Sequence, residues 1–279
     1  MNKPMEDIEF TIFDTETTGL APRSGDRIVE IAAVKIKAGK KTGEFQTMVN
    51  PGREISQGAF LVNGITPEML EGAPDMRRVM PGFLDFIKGT CLCAYNASFD
   101  MAFLENELSL MSLSPMEGVV VIDMLKMSRK LIPGMERYSL GFVTEKLGIG
   151  CKQKHRALSD VELCVELFIK FQDMLEEKGV SDLHGIAGLF GIKADFLEGV
   201  NNAKLSCINE AISESCLLKI KYFSSSGAQV TDRHVVPKEV RSEQGRSYLV
   251  GYCCLKKEER TFRIDNILQI EKAYGISEA

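Results

Sequence analysis

The chain has 279 residues, of which 44% are apolar and 26% charged, and a net charge of −5. That balance excludes a disordered chain, which carries fewer large apolar side chains, and a passive electrostatic binder of nucleic acid. No run of about 20 apolar residues occurs, so no membrane-spanning helix is expected.

The N-terminal stretch MNKPMEDIEF has acids where a secretory signal needs bases and an apolar run, so export is not expected. The eight cysteines form no CxxC pair, and no His lies at zinc-finger spacing from them. They read as free thiols in a reducing cytoplasm. The charge is uneven: residues 218–263 hold ten Lys/Arg against five Asp/Glu, and the remainder holds 24 against 34. An acidic body with a basic accessory patch is expected.

Residues 8–14 (IEFTIFD) are rich in strand formers and end in an acid. Residues 27–37 (RIVEIAAVKIK) alternate, and 44–49 follow the turn Ala38-Gly39-Lys40-Lys41, so 27–49 reads as a hairpin. Then the rhythm changes. Thr66-Pro67-Glu68 and Pro74-Asp75 are helix starts, the second leading to Ile87. Residues 91–95 form a short apolar strand, 98–110 a helix with Met101, Leu104 and Leu108 inward, and 119–122 a buried strand. Helices follow near 123–130, 138–147 and 157–177. This order predicts a mixed α/β sheet with helices on its faces over residues 1–178.

Residues 179–202 contain Gly185, Gly188, Gly191 and Gly199 and read as a linker, although Leu189, Phe190 and Phe196 indicate packing. Beyond them the spacing predicts one helix (203–214) and five short strands near 216–223, 228–236, 239–243, 247–254 and 259–264. Such close-set strands predict a small barrel over 203–279.

Acidic residues carry the chemistry. Asp14 and Glu16, in FDTETTG, point to one face at the end of the first strand. Paired carboxylates repel unless a cation lies between them, though a strand end also accepts solvated acids. Asp100, in AYNASFD, falls in the first turn of a helix that Asn96 or Ser98 caps. His155 and Asp160, in KHRALSD, are five residues apart, about 500° around a helix, and cannot share a face. His155 therefore belongs on the preceding loop and Asp160 in the first turn.

Together these motifs, DxE, NxxxD and HxAxxD, resemble the exonuclease superfamily named for its four acids, in its His-containing branch. The proofreading subunit of bacterial DNA polymerase III and the ribonuclease T group are similar. VNPGREIS, NGITPEML and YSLGFVTEKLGI extend the likeness over about residues 5–177. The resemblance implies an RNase H-like sheet and 3′→5′ exonuclease activity on single-stranded DNA or RNA ends, releasing nucleoside 5′-monophosphates.

It also implies that Asp14, Glu16, Asp100 and Asp160 hold two divalent ions, Mg²⁺ or Mn²⁺, and that His155 is the general base. It implies terminal-nucleotide contacts from the backbone around Thr17 and Thr18, from Asn96, and from Val62, Ile65 and Phe99, with core packing the competing role for the apolar three. Asn63 stands where many relatives have His in HGIT.

Residues 203–275 resemble the WYL domain, a small Sm-like barrel, through Leu218–Tyr222, Arg233–Pro237, Ser247–Tyr252 and Arg260–Asp265. Ser247 replaces the name-giving Trp, and Asn266 stands where relatives often have a base. The resemblance implies a nucleic-acid or nucleotide ligand at Tyr222, Arg233, Tyr248, Arg260 and Arg263, which would add substrate affinity or gate the nuclease. The alternatives are a catalytically idle nucleic-acid sensor and a barrel that only self-associates. The sequence names neither an oligomeric state nor a choice between DNA and RNA.

Overall fold

The computed structural model describes residues 3–150, 155–192, 194–224 and 228–273, with the side chains of all but 194–198. The chain runs through β1 (Glu9–Thr17), β2 (Ile28–Lys37), β3 (Lys40–Met48), α1 (Gln57–Asn63), α2 (Met76–Ile87), β4 (Cys91–Ala94), α3 (Ala97–Leu110), β5 (Val121–Asp123), α4 (Met124–Leu131), α5 (Leu140–Lys146) and α6 (Ala157–Glu176). There follow α7 (Leu183–Phe190), α8 (Ala194–Ser213), β6 (Leu217–Ser224), β7 (Gln229–Glu243), β8 (Arg246–Cys253), β9 (Glu258–Arg263) and β10 (Ile267–Ala273).

The first sheet has the order β3-β2-β1-β4-β5. Its hairpin pairs are antiparallel, and β4 and β5 run parallel to β1. Period-two alternation sorts the side chains of β1 between two cores. Phe10 and Ile12 pack with Val161, Leu167 and Phe168 of α6, while Phe13 packs with Phe83 of α2 and Phe103 of α3. Because both faces are covered, Ile28 to Val34 of β2 are all buried, and the alternation read in this strand does not become an exposed face.

The segment expected as a linker is folded. Val180, Ile186, Ala187, Leu189 and Phe190 are buried in the core that α6 shares with the sheet. Gly185 and Gly188, read as loop signals, lie inside α7. A Cβ on Gly185 would sit 3.1 Å from Val180, so glycine permits this close turn. The side chain of Phe196 lies outside the described set.

The second sheet is entirely antiparallel, in the order β10-β6-β7-β8-β9. It packs on α8 through Ile208 and Ala211 against Leu218, Val235, Leu249 and Phe262. Among the described residues β9 and β10 do not pair, so the expected closed barrel is an open five-stranded sheet.

Its five strands are also not the five expected. Residues 228–236 and 239–243 form one strand, β7, with a register shift at Pro237/Glu239, and β10 is an additional strand. Proline donates no ladder hydrogen bond, which is why the bend read as a break. Gly251 faces Pro237 across that bulge, and a Cβ there would lie 2.4 Å from the Val236 carbonyl oxygen.

The two sheets meet through α7. Lys130 Nζ donates to the Leu189 carbonyl (3.1 Å) and to Asn266 Oδ1 (2.8 Å), and Lys126 Nζ donates to the Gly191 carbonyl (2.9 Å). Cations at the C-terminal end of α7 answer its exposed carbonyls. Burial pulls Lys130 down to about 8. No helix among the described residues is long and apolar enough to cross a membrane.

Candidate active site

The C-terminal end of β1 carries Asp14 and Glu16 on the face that α6 covers. Asp160 enters from the first turn of α6, whose Asp160 N–H donates to the Arg156 carbonyl (3.0 Å). Ligand oxygens of Asp14, Glu16 and Asp160 lie within 4.8 Å of one another. Asp100 arrives from the neighbouring parallel strand, in the first turn of α3. It is 3% exposed, and its Oδ1 accepts from the Thr15 N–H (3.1 Å) and hydroxyl (2.8 Å). Four carboxylates from three segments therefore converge at one sheet end, the position where open α/β sheets bind ligands.

The electrostatics are those of an uncompensated acidic pocket. Burial, then Asp100, Glu16 and Asp160, hold Asp14 well above the usual carboxylate range. Burial, then Asp160 and Glu30, push Glu16 up to about 8. Asp100 is raised to about 7 by burial, against the lowering effect of the Thr15 hydrogen bonds. Like charges this close keep protons unless a cation replaces them. An all-carboxylate donor set suits a hard divalent ion.

Glu30, which carries no motif in the sequence, and Asn63, noted there as standing in place of a His, organise the site. Glu30 of β2 is fully buried opposite Glu16 in the ladder. It accepts from Arg156 Nε (3.0 Å), Arg156 Nη2 (3.1 Å), the Ala157 N–H (3.2 Å) and Gln46 Nε2 (3.0 Å). This clamp fixes the start of α6, one residue after His155. Asn63 closes α1: its Nδ2 donates to the Thr17 carbonyl (3.3 Å) and its Oδ1 accepts from the Ile65 N–H (3.0 Å). Its side chain also hydrogen-bonds to Glu16, which lowers that carboxyl against the other effects.

His155 is exposed on the segment before α6, as expected, with a φ of 50°. Val62 is 56% exposed beside Leu61 (76%) on α1, and Leu20 (83%) projects from the loop after β1. Asn96 is the N-cap residue of α3, and its side chain makes no capping bond. Phe99 is half-buried against Phe103, with ring centroids 5.0 Å apart.

Ile65 is a correction. It is fully buried with Val29 and Leu70 and contributes packing, not a surface for a base. Thr17 and Thr18 are also engaged internally. The Thr17 hydroxyl donates to the Gly19 carbonyl (2.6 Å), and the Thr18 hydroxyl donates to Asp26 Oδ1 (2.9 Å). The Thr18 N–H donates to the Arg27 carbonyl (2.9 Å), and its own carbonyl accepts from the Ser56 N–H (3.0 Å).

Residues 11–168 match the family described as Exonuclease (RNase T). The chain belongs to the exonuclease family. Residues 203–272 of this exonuclease-family chain match the WYL domain. It is 34% identical over 256 residues to the DNA polymerase III PolC-type of Thermotoga petrophila, covering 91% of this chain and 18% of that protein. The chain thus spans about a fifth of that relative's length.

Among solved structures, the nuclease domain of 3′hExo, a DEDDh family member bound to rAMP, is 21% identical with a TM-score of 0.53, covering 62% of this chain and 94% of that one. The zinc-bound E. coli ExoI–ssDNA complex is 15% identical with a TM-score of 0.55, covering 95% and 65%. These structures share the fold.

In the WYL region, Tyr222 stacks edge-on against Phe262 (5.2 Å), and its hydroxyl accepts from the Arg263 N–H (3.4 Å). Tyr248 faces Arg263 across β8–β9. Arg263 pairs with Asp265, and Arg260 with Glu258 (3.4 Å). Arg233 donates through Nε to Thr231 (3.1 Å), while its buried Nη1 has no acceptor among the described residues.

Proposed function

We propose that this chain is a metal-dependent 3′→5′ exonuclease that removes nucleoside 5′-monophosphates from single-stranded DNA or RNA ends. The grouping of Asp14, Glu16 and Asp160 within 4.8 Å, with Asp100 beside them, carries this reading. These carboxylates would hold two Mg²⁺ or Mn²⁺ ions. Such ions neutralise the scissile phosphate and acidify water at the site. His155 takes the proton of the attacking water from its exposed position before α6. Thr15 orients Asp100, and Asn63 orients Glu16. Val62, with the exposed Leu20 and Leu61, meets the terminal bases, and Phe99 and Asn96 flank them from α3. The rAMP of 3′hExo and the ssDNA of ExoI support this substrate class.

Residues 1–178 form the nuclease unit, 179–202 the connection and 203–279 the WYL unit. The WYL unit binds nucleic acid or a nucleotide through Tyr222, Arg233, Tyr248, Arg260 and Arg263, and either raises substrate affinity or gates cleavage. The unanswered Arg233 Nη1 supports a phosphate acceptor there. The seven free thiols among the described residues fit a cytoplasmic location.

The test digests matched 3′- and 5′-labelled oligomers in Mn²⁺. The 3′ label is expected as mononucleotide in the first time point, and the 5′ label as a shrinking ladder. Asp14→Ala and EDTA each abolish both patterns. Cleavage that persists in either removes the reading.

A further inference from the structure

A second feature flanks the carboxylates on the other face of the sheet. Arg27, Arg77 and Arg78 line a groove of about 640 Å³ together with Asn50, Pro51 and Leu110. Arg27 is held at its near end: Nε and Nη2 donate to the buried Glu107 at 2.7 and 2.6 Å. Arg77 and Arg78 are exposed on the first turn of α2. Arg77 donates only to the Leu110 carbonyl (3.4 Å), and neither has an acidic partner among the described residues. Asp75 is the one acid in the lining; its Oδ1 accepts from the Arg78 backbone N–H (3.0 Å). In a body with 24 bases and 34 acids outside residues 218–263, the three arginines outnumber Asp75 and the Glu107 that answers Arg27, so the groove keeps a positive excess carried by Arg77 and Arg78.

The Arg27 backbone starts from the catalytic end of the sheet, and its side chain reaches Glu107, seven residues along α3 from Asp100. Arg27 pairs with Thr18, two residues beyond Glu16. The groove ends at Leu110, ten residues along α3 from Asp100, so about 15 Å of helix separates that end from the catalytic carboxylate. At about 3.4 Å per nucleotide, a strand whose 3′ end lies at Asp100 reaches Leu110 about four nucleotides upstream. Guanidinium forks grip phosphate oxygens without regard to the base.

We propose that this groove binds backbone phosphates of the substrate strand within about four nucleotides of its 3′ end. The proposal deepens the nuclease reading and rests on it. Arg77 and Arg78 act on the affinity of long substrates and leave the bond-breaking groups untouched.

The experiment compares the full chain with its Arg77→Ala/Arg78→Ala variant. One substrate is the p-nitrophenyl ester of thymidine 5′-monophosphate, which has no upstream strand, and the other is a twelve-nucleotide single strand. The expected result is a KM for the twelve-mer raised about fivefold or more, equally for dT and dA sequences, with ester hydrolysis within about twofold of the parent. The slope of log(kcat/KM) against log[salt] becomes shallower by about 1.4, the value for two lost phosphate contacts on a single strand. An unchanged twelve-mer KM and salt slope overturn the groove. A parent that cleaves neither substrate overturns the nuclease reading instead, and fluorescence anisotropy of the labelled twelve-mer on the same two proteins still decides the groove by the same salt slope.

Discussion

Asp14, Glu16, Asp100 and Asp160 are costly residues to bury together, and that cost has a measurable sign. Glu16 at about 8 and Asp100 at about 7 stand far above their ordinary values of 4.5 and 3.8. In metal-free protein the folded form therefore holds protons that the unfolded chain has released. Between about pH 4 and pH 8 the folded state binds more protons, so unfolding becomes easier as pH rises. Calorimetry in EDTA is expected to show a lower Tm at pH 8 than at pH 5.5, and Mn²⁺ to raise Tm more at pH 8. Equal Mn²⁺ shifts at both pH values contradict the cluster's role.

Glu30 makes a second residue-scale prediction. Glu30→Gln weakens the clamp on Arg156 and Ala157 and leaves the Arg156 guanidinium without its counter-charge. Loss of one partner of a buried charged pair costs about 3–5 kcal/mol, and less where, as here, the arginine is partly exposed. The expected outcome is a lower urea midpoint and a kcat that falls more than KM rises.

At this scale the motif residues were legible because type and spacing coincide. Glu30 was not, since a lone acid in an alternating strand reads as solvated. Ile65 was left open between substrate contact and core packing, because an apolar side chain beside a site looks the same in sequence in either role, and it takes the core role.

Elements with a clear local signal were legible: the β2–β3 hairpin, α2, α3 and α6 lie where the pattern puts them, and β1, read from its strand formers over residues 8–14, runs on to Thr17. α1 was missed. It is seven residues long, and Phe60, Leu61 and Val62 are all exposed on it, so no inward-facing stripe marks it. α7 was missed because its glycines suit a turn as readily as a tightly packed helix.

The bulge at Pro237 was read as a break between two strands, although Gly251 opposite it signals close backbone approach. Gly251→Ala is expected to destabilise the second sheet by about 1–3 kcal/mol, read as a lower denaturation midpoint, because the new methyl meets the Val236 carbonyl. A midpoint unchanged by this substitution contradicts the assigned register.

Across the whole molecule, the two sheets are joined by a folded, buried connection. Lys130 reaches from α4 to α7 and on to Asn266 beside β10. Lys130→Ala removes charged hydrogen bonds worth about 1.5–3 kcal/mol each at most. The expected outcome is faster proteolysis between residues 190 and 203 with the nuclease fold retained. Composition showed the division into an acidic body and a basic C-terminal part, but not this contact, because buried lysines look like surface lysines in sequence.

The central claim is that anions from β1, α3 and α6 form one cation site. The most direct measurement is Mn²⁺ binding to the full chain by electron paramagnetic resonance of the free ion. The account predicts two bound ions per chain, with at least one lost in Asp14→Ala at unchanged secondary structure. No Mn²⁺ binding at millimolar ion, or equal binding in that variant, would contradict it.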